Sequence, residues 1–116
     1  MLEGFLSSRH ALQTLEVGCA YGFSSLFICE ILAGHPGAHH TIIDPFQTLQ
    51  YKRAGVQGLE KAGYQFWKLI EEGSEFALPD LCRKGAHFGF CLIDGTRSLT
   101  LFTVCVTLSA TLMICD

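Results

Sequence analysis

Residues 15–22 read LEVGCAYG. An apolar run carries one acid, Glu16, and then breaks on Gly18 and Gly22. Glycine takes left-handed backbone without steric cost and lets a backbone come closer to a neighbour than a Cβ would allow. A buried strand that runs into such a turn fits an open α/β sheet, where ligands gather outside the carboxyl ends of the strands near the point at which strand order reverses.

The rest of the chain repeats that beginning. Four more apolar runs follow: HHTIIDP, FWKLIEE, FGFCLIDG and ATLMICD. Each is nearly continuous rather than alternating, the pattern of strands covered on both faces in a parallel sheet. Between the first two lies FSSLFICEILAGHPG, a strongly apolar helix carrying Leu26, Phe27, Ile28, Ile31 and Leu32 and stopped by Gly34, Pro36 and Gly37. QTLQYKRAGVQGLEKAGY reads as a second helix, with Val56, Leu59 and Ala62 on one face and Lys52, Arg53, Glu60 and Lys61 on the other, weakened by Gly55 and Gly58. Ser74 is expected to cap a short turn, and Pro79 to start a third helix that ends near Gly85. Strand and helix alternating at this spacing imply right-handed βαβ crossovers in a single domain over residues 1–116.

Composition narrows the partners. Eight basic against 11 acidic residues give a net charge of −3, so no basic stripe exists to neutralise a nucleic-acid backbone. The six cysteines form no C-x-x-C pair and fall mostly in apolar runs, which reads as reduced core thiols in a cytoplasmic protein. His39 and His40 are adjacent and on a strand point to opposite faces, so a shared metal there is not expected. Residues 98–115 contain no charge and reach the lower length limit of a membrane span. Five Ser/Thr residues after Ser98, many β-branched positions and no basic flank favour a buried helix followed by a buried strand instead.

Three acids fall at the carboxyl edge: Glu16 at the first strand, Asp44 closing the second and Asp94 closing the fourth. An acid ending the second strand can accept two hydrogen bonds from a ribose diol. A dinucleotide fold would carry G-x-G-x-x-G with the pyrophosphate on the helix N-terminus. Here the pattern is E-x-G-x-x-x-G, with Ala20 at the middle glycine and an anion at position 16. Such an anion repels phosphate and suits an ammonium group, which disfavours a nicotinamide-dependent oxidoreductase.

Together these segments resemble the class I S-adenosylmethionine-dependent methyltransferases, with the closest look to small-molecule O-methyltransferases of the catechol and macrolide type. LEVGCAYGFSS resembles their first motif, TIIDPFQ their second-strand acid, GLEKAGY the helix behind it, EEGSEFALPDL the adenine-side loop and FGFCLIDG their fourth strand. The resemblance implies a Rossmann-like, doubly wound parallel α/β sheet of about five strands in the order 3-2-1-4-5, without the family's last two strands. It implies S-adenosylmethionine as cofactor. Glu16 and Gly18 would meet the amino-acid end within the turn Gly18, Cys19, Ala20, Tyr21 and Gly22, with Tyr21 and Ser24 flanking the carboxylate. Asp44 would hold the ribose, Ser74 and Glu75 would border the adenine, and Asp94 would sit beside the sulfonium. The implied reaction is in-line methyl transfer to a small-molecule acceptor at oxygen.

In metal-dependent relatives the acids ending strands four and five bind a divalent cation. Asp94 and Asp116 stand at those positions, a pair suited to Mg²⁺. Where relatives carry a Lys or His base this chain has Arg97, which can orient a substrate but stays protonated. The sequence ends at Asp116, before the strands that shape an acceptor pocket in the family. The alternative expectation is therefore a catalytically incomplete cofactor-binding fragment or partner-dependent module, including a homo-oligomer formed through an exposed sheet edge.

Overall fold

The computed structural model describes residues 13–93 and 112–115. Its centre is β1 (Gln13–Val17), in which period-two alternation sends Leu15 and Val17 to one face of the sheet and Thr14 and Glu16 to the other. β2 (His39–Ile43) and β4 (Phe90–Ile93) pair with it in parallel on opposite sides. β3 (Trp67–Ile70) and β5 (Leu112–Cys115) extend the sheet outward. The order is β3-β2-β1-β4-β5, so the chain reverses direction of winding between β1 and β4. This is the doubly wound parallel α/β sheet expected from the sequence, with all five strands at the expected runs.

The two faces are covered differently. α1 (Phe23–Leu32) buries Ser25, Ile28, Cys29 and Leu32 in the i, i+3, i+4, i+7 pattern, one helical stripe laid on the face that carries Thr14 and Glu16. Leu26 and Phe27, on the other side of that helix, are 37% and 54% exposed. α2 (Ala54–Ala62) packs Val56 and Leu59 beside it. On the opposite face α3 (Ser74–Arg83) sets Ala77, Leu78 and Leu81 against Leu15, Val17, Ile43, Cys91 and Ile93. Each fully buried aliphatic side chain there contributes about 1.5–3 kcal/mol.

Two helix expectations are corrected. The second helix begins at Ala54 rather than near Gln47, and residues 45–53 form turns in which Lys52 and Arg53 adopt φ of 50° and 63°. The physical cause is the buried Gln47 side chain, whose Oε1 accepts from Gly55 N and Val56 N and so supplies a partner at the helix start. Lys52 and Arg53 are thus turn residues and not the outer face of a helix. The third helix starts at Ser74, after Gly73, and Pro79 lies inside it instead of at its first position. Pro79 lacks the N–H that would bond to Glu75 O, a loss confined to the first turns of the helix. Its far end is solvated as expected, with Asp80 paired to Arg83 at 3.0 Å and Lys84 at 2.9 Å.

Among the described residues no helix is long and apolar enough to cross a membrane. Most of the uncharged stretch 98–115 lies outside them.

Candidate functional site

At the carboxyl edge β1 turns into α1 through Gly18, Cys19, Ala20, Tyr21 and Gly22. Gly18, Ala20 and Gly22 have φ of 93°, 50° and 88°, and the turn is closed by Gly22 N donating to Cys19 O at 2.9 Å. The glycine at 22 answers a second demand. A Cβ built there would lie 2.7 Å from Gly55 Cα and Gly55 O, and one at Gly55 would lie 2.6 Å from Cys19 Sγ and 2.7 Å from Ala20 O. The starts of α1 and α2 therefore meet glycine against glycine. Gly55, which the sequence offered only as a helix weakener, is a point of backbone contact.

Asp44 and Gln47 sew this turn to the end of β2. Asp44 Oδ2 accepts from Cys19 N at 3.2 Å, Ala20 N at 3.0 Å and Gln47 Nε2 at 3.0 Å, while Oδ1 accepts from Phe46 N at 3.0 Å. Gln47 Nε2 also donates to Ala20 O at 3.0 Å. Asp44 is 3% exposed, and Oδ1 keeps the capacity for a further donor. Sequence reasoning identified Asp44 as the acid of this edge and passed over Gln47, because a polar residue three positions past a strand carries no periodic signal of its own.

Glu16 occupies a different place from the one expected. The sequence pattern puts an anion at the carboxyl edge of the strand, yet the carboxylate is buried beneath the turn and only 1% exposed. The pleat is the cause: position 16 shares a face with Thr14 and so points under α1 rather than out of the edge. Glu16 Oε1 accepts from Ser25 Oγ and lies 3.0 Å from His40 Nε2. His40 Nδ1 is 2.7 Å from Thr14 Oγ1, and Ser25 Oγ is 3.3 Å from Cys19 Sγ. Oε1 already accepts from Ser25, so the tautomer that fits this contact carries its ring proton on Nε2. Thr14, His40, Glu16, Ser25 and Cys19 form one polar chain from the sheet centre to the turn, and among the described residues no buried side-chain polar atom lacks a partner.

Around the edge the remaining candidates stand at helix starts. Tyr21 is 63% exposed and packs edge-on against Tyr51 at 5.0 Å between ring centroids. Ser24 is exposed in the first turn of α1, whose leading N–H groups have no intrahelical acceptor. Ser74 opens α3, and Glu75 folds back so that its carboxylate covers Gly73. Glu71, just past β3, accepts from Thr48 N at 3.1 Å and Thr48 Oγ1 at 2.9 Å. Asp94, Arg97 and Asp116, the expected reaction-side and metal residues, lie outside the described residues. Among those described, no group of three or more His, Cys, Asp or Glu is placed to hold a metal.

Burial pushes the Cys19 thiol up to about 12, with the Glu16 and Asp44 charges adding to the effect against the Ser25 hydrogen bond. Cys29 is likewise pushed up to about 12, by burial first and then by Glu16 and Cys19. Neither supplies a thiolate near neutral pH, so the thiol in the turn is not a nucleophile.

No protein-family model matches the chain, and no curated protein does. Among solved structures, the fold is similar to that of the O-methyltransferase TomG from Streptomyces achromogenes, involved in tomaymycin synthesis and determined in complex with SAM. The likeness has a TM-score of 0.77 at 23% identity and covers 92% of this chain. It covers 48% of TomG, so the chain spans about half the length of that protein.

Proposed function

We propose that the carboxyl edge of this sheet binds S-adenosylmethionine and that the protein transfers its methyl group to an oxygen of a small-molecule acceptor. The observation that carries the reading is the likeness, over 92% of this chain, to an O-methyltransferase that holds SAM. The shape of the edge agrees with it. A turn with three left-handed residues leaves room for a ligand to approach the backbone, and an acid with one unfilled acceptor site borders it.

In this reading the first turn of α1, with Ser24 and Tyr21, receives the carboxylate of the cofactor's amino-acid end, since leading helix amides favour an anion. Gly18, Cys19, Ala20 and Gly22 shape the wall beside it. Asp44 Oδ1 takes one ribose hydroxyl, while Oδ2 stays committed to the turn. Ser74 and Glu75, at the start of α3, border the adenine. Glu16 acts from beneath, through Ser25, rather than by touching the ammonium group. Bound there, the cofactor supplies a methyl on a sulfonium, transferable in line to an oxygen nucleophile. The contribution of this chain is to hold that methyl at a fixed edge in near-attack geometry. Asp94 is assigned to the reacting side and Arg97 to orienting the acceptor, as the family resemblance implies. Mg²⁺ at Asp94 and Asp116 would bind through oxygen alone, and no step of this account depends on it.

Calorimetry with S-adenosylmethionine, S-adenosylhomocysteine and NAD tests the binding step. Heat with the first two and none with NAD is expected, and silence with both sulfur compounds ends the reading. Transfer of a labelled methyl group to a panel of phenols and hydroxy acids, with and without Mg²⁺, then tests the chemistry. Binding without turnover on any acceptor would leave a cofactor-binding module and remove the transferase.

A further inference from the structure

Gln47 is fully buried, and its side-chain amide is used to capacity. Oε1 accepts from Gly55 N at 2.8 Å and Val56 N at 3.1 Å, and Nε2 donates to Ala20 O and Asp44 Oδ2, each at 3.0 Å. A primary amide offers two acceptor sites and two donors, so none remains. Its main chain joins in, with Arg53 N donating to Gln47 O at 2.6 Å. Ala20 is thereby gripped at both ends, its N–H by Asp44 and its carbonyl by Gln47. Ala20, Lys52 and Arg53 are the described non-glycine residues with positive φ, a conformation that persists only where the surroundings enforce it. Gln47 bonds two of the three directly.

The structure assigns to Gln47 the part of a positioning residue: it holds the Gly18–Gly22 turn in the shape that receives the cofactor, an assignment that rests on the binding site proposed above. The chemistry is specific to glutamine. Glutamate keeps the acceptors for Gly55 and Val56 but loses the donors to Ala20 and Asp44, and asparagine is one methylene too short to span the same four partners.

The discriminating variant is Gln47→Glu in the full chain, because it keeps side-chain volume and the cap on α2. At about pH 8 the new carboxylate faces Asp44, and S-adenosylhomocysteine affinity by calorimetry should fall by about tenfold or more, the effect of losing a buried donor pair. Two facing carboxylates retain a shared proton well above the usual range. Towards about pH 5 the protonated side chain regains one of the two donors, and the affinity relative to wild type should recover in part. An equal deficit at both pH values, or none at either, overturns the assignment. Amide hydrogen exchange provides a readout that needs no ligand. In Gln47→Glu at about pH 8 the Cys19 and Ala20 amides should exchange at least about tenfold faster while those of β1 keep their protection. Unchanged protection in the turn refutes the clasp whatever the calorimetry gives. Should the wild-type protein show no heat with S-adenosylhomocysteine, the proposed function fails, and the exchange comparison still decides what Gln47 does. Ala20→Gly in a Gln47→Ala background adds the converse test. Removing the side chain that resists positive φ should restore part of the turn's protection, and no restoration counts against the role.

Discussion

The two faces of the sheet are built from opposite chemistry. Against α3 the packing is chiefly apolar, from Leu15 and Val17 to Cys91 and Ile93, with the buried hydroxyl of Thr41 in register with Leu15. Against α1 the middle of the sheet carries Thr14, Glu16 and His40, each at most 1% exposed, bonded in series up to Ser25 and the glycine turn. A buried ionisable pair is poor at stabilising a fold compared with apolar residues of equal volume. Its presence beneath one turn, with none against α3 among the described residues, indicates that it specifies where α1 begins rather than how strongly the sheet packs.

Removing Glu16 should have the largest effect. Glu16→Ala leaves the His40 ring N–H and the Ser25 hydroxyl without their acceptor in a dry site, at about 1–3 kcal/mol for each unpaired donor. Urea unfolding should show that loss, and S-adenosylhomocysteine binding should weaken even where the variant stays folded, since Ser25 is what connects the pair to the turn. A variant that loses stability but binds as tightly as wild type would mean that the polar chain stops short of the site.

Leu15→Ala tests the other face. Leu15 is fully buried against α3, and a cavity there should cost about 2–5 kcal/mol in urea unfolding. Affinity for S-adenosylhomocysteine, measured under conditions where the protein is folded, should be unchanged. A matching loss of affinity would show that the faces do not divide the work as described.

The sequence disclosed these faces unequally. Continuous apolar runs and punctuating glycines suffice to place five parallel strands, because strand burial and helix termination are local signals repeated five times. Asp44 was legible for the same reason, as an acid directly after a strand. Glu16 was legible as a residue but not as a location: apolar neighbours on both sides mark a strand, and which face position 16 takes depends on the pairing of β1 with β2 and β4. Gln47 was not legible at all, since its four partners lie on three separate segments and no spacing in the chain announces them. The same side chain explains why the second helix starts late.

The thiols offer a smaller contrast across pH. Cys19 and Cys29, both on the polar face, are raised to about 12 from the ordinary 9.0, so the fold favours their neutral form. Their contribution to stability is complete below about pH 9 and declines as pH rises through the ordinary thiol range towards about 12. A Cys29→Ala variant should therefore show a shallower loss of urea midpoint between about pH 8 and about pH 10 than wild type. Parallel slopes would place the cause of alkaline sensitivity elsewhere.

The smallest effect is expected from the neighbouring histidines, which sit side by side in β2 and face opposite ways. His40 lies in the polar chain with Glu16 and Thr14 as partners. His39 points to the other face, where burial first, and then the like charges of Lys68 and His40, push its pKa below the ordinary 6.5. The folded state thus favours neutral His39, and its contribution to stability is full above 6.5 and is lost as pH falls below that value towards the lowered folded-state pKa. His39→Gln should flatten the urea midpoint on the acid side of 6.5 and leave it unchanged at about pH 8, where wild-type His39 is already neutral. An acid decline of undiminished slope would trace the loss to groups other than His39, with the His40–Glu16 pair of the opposite face as the next to test.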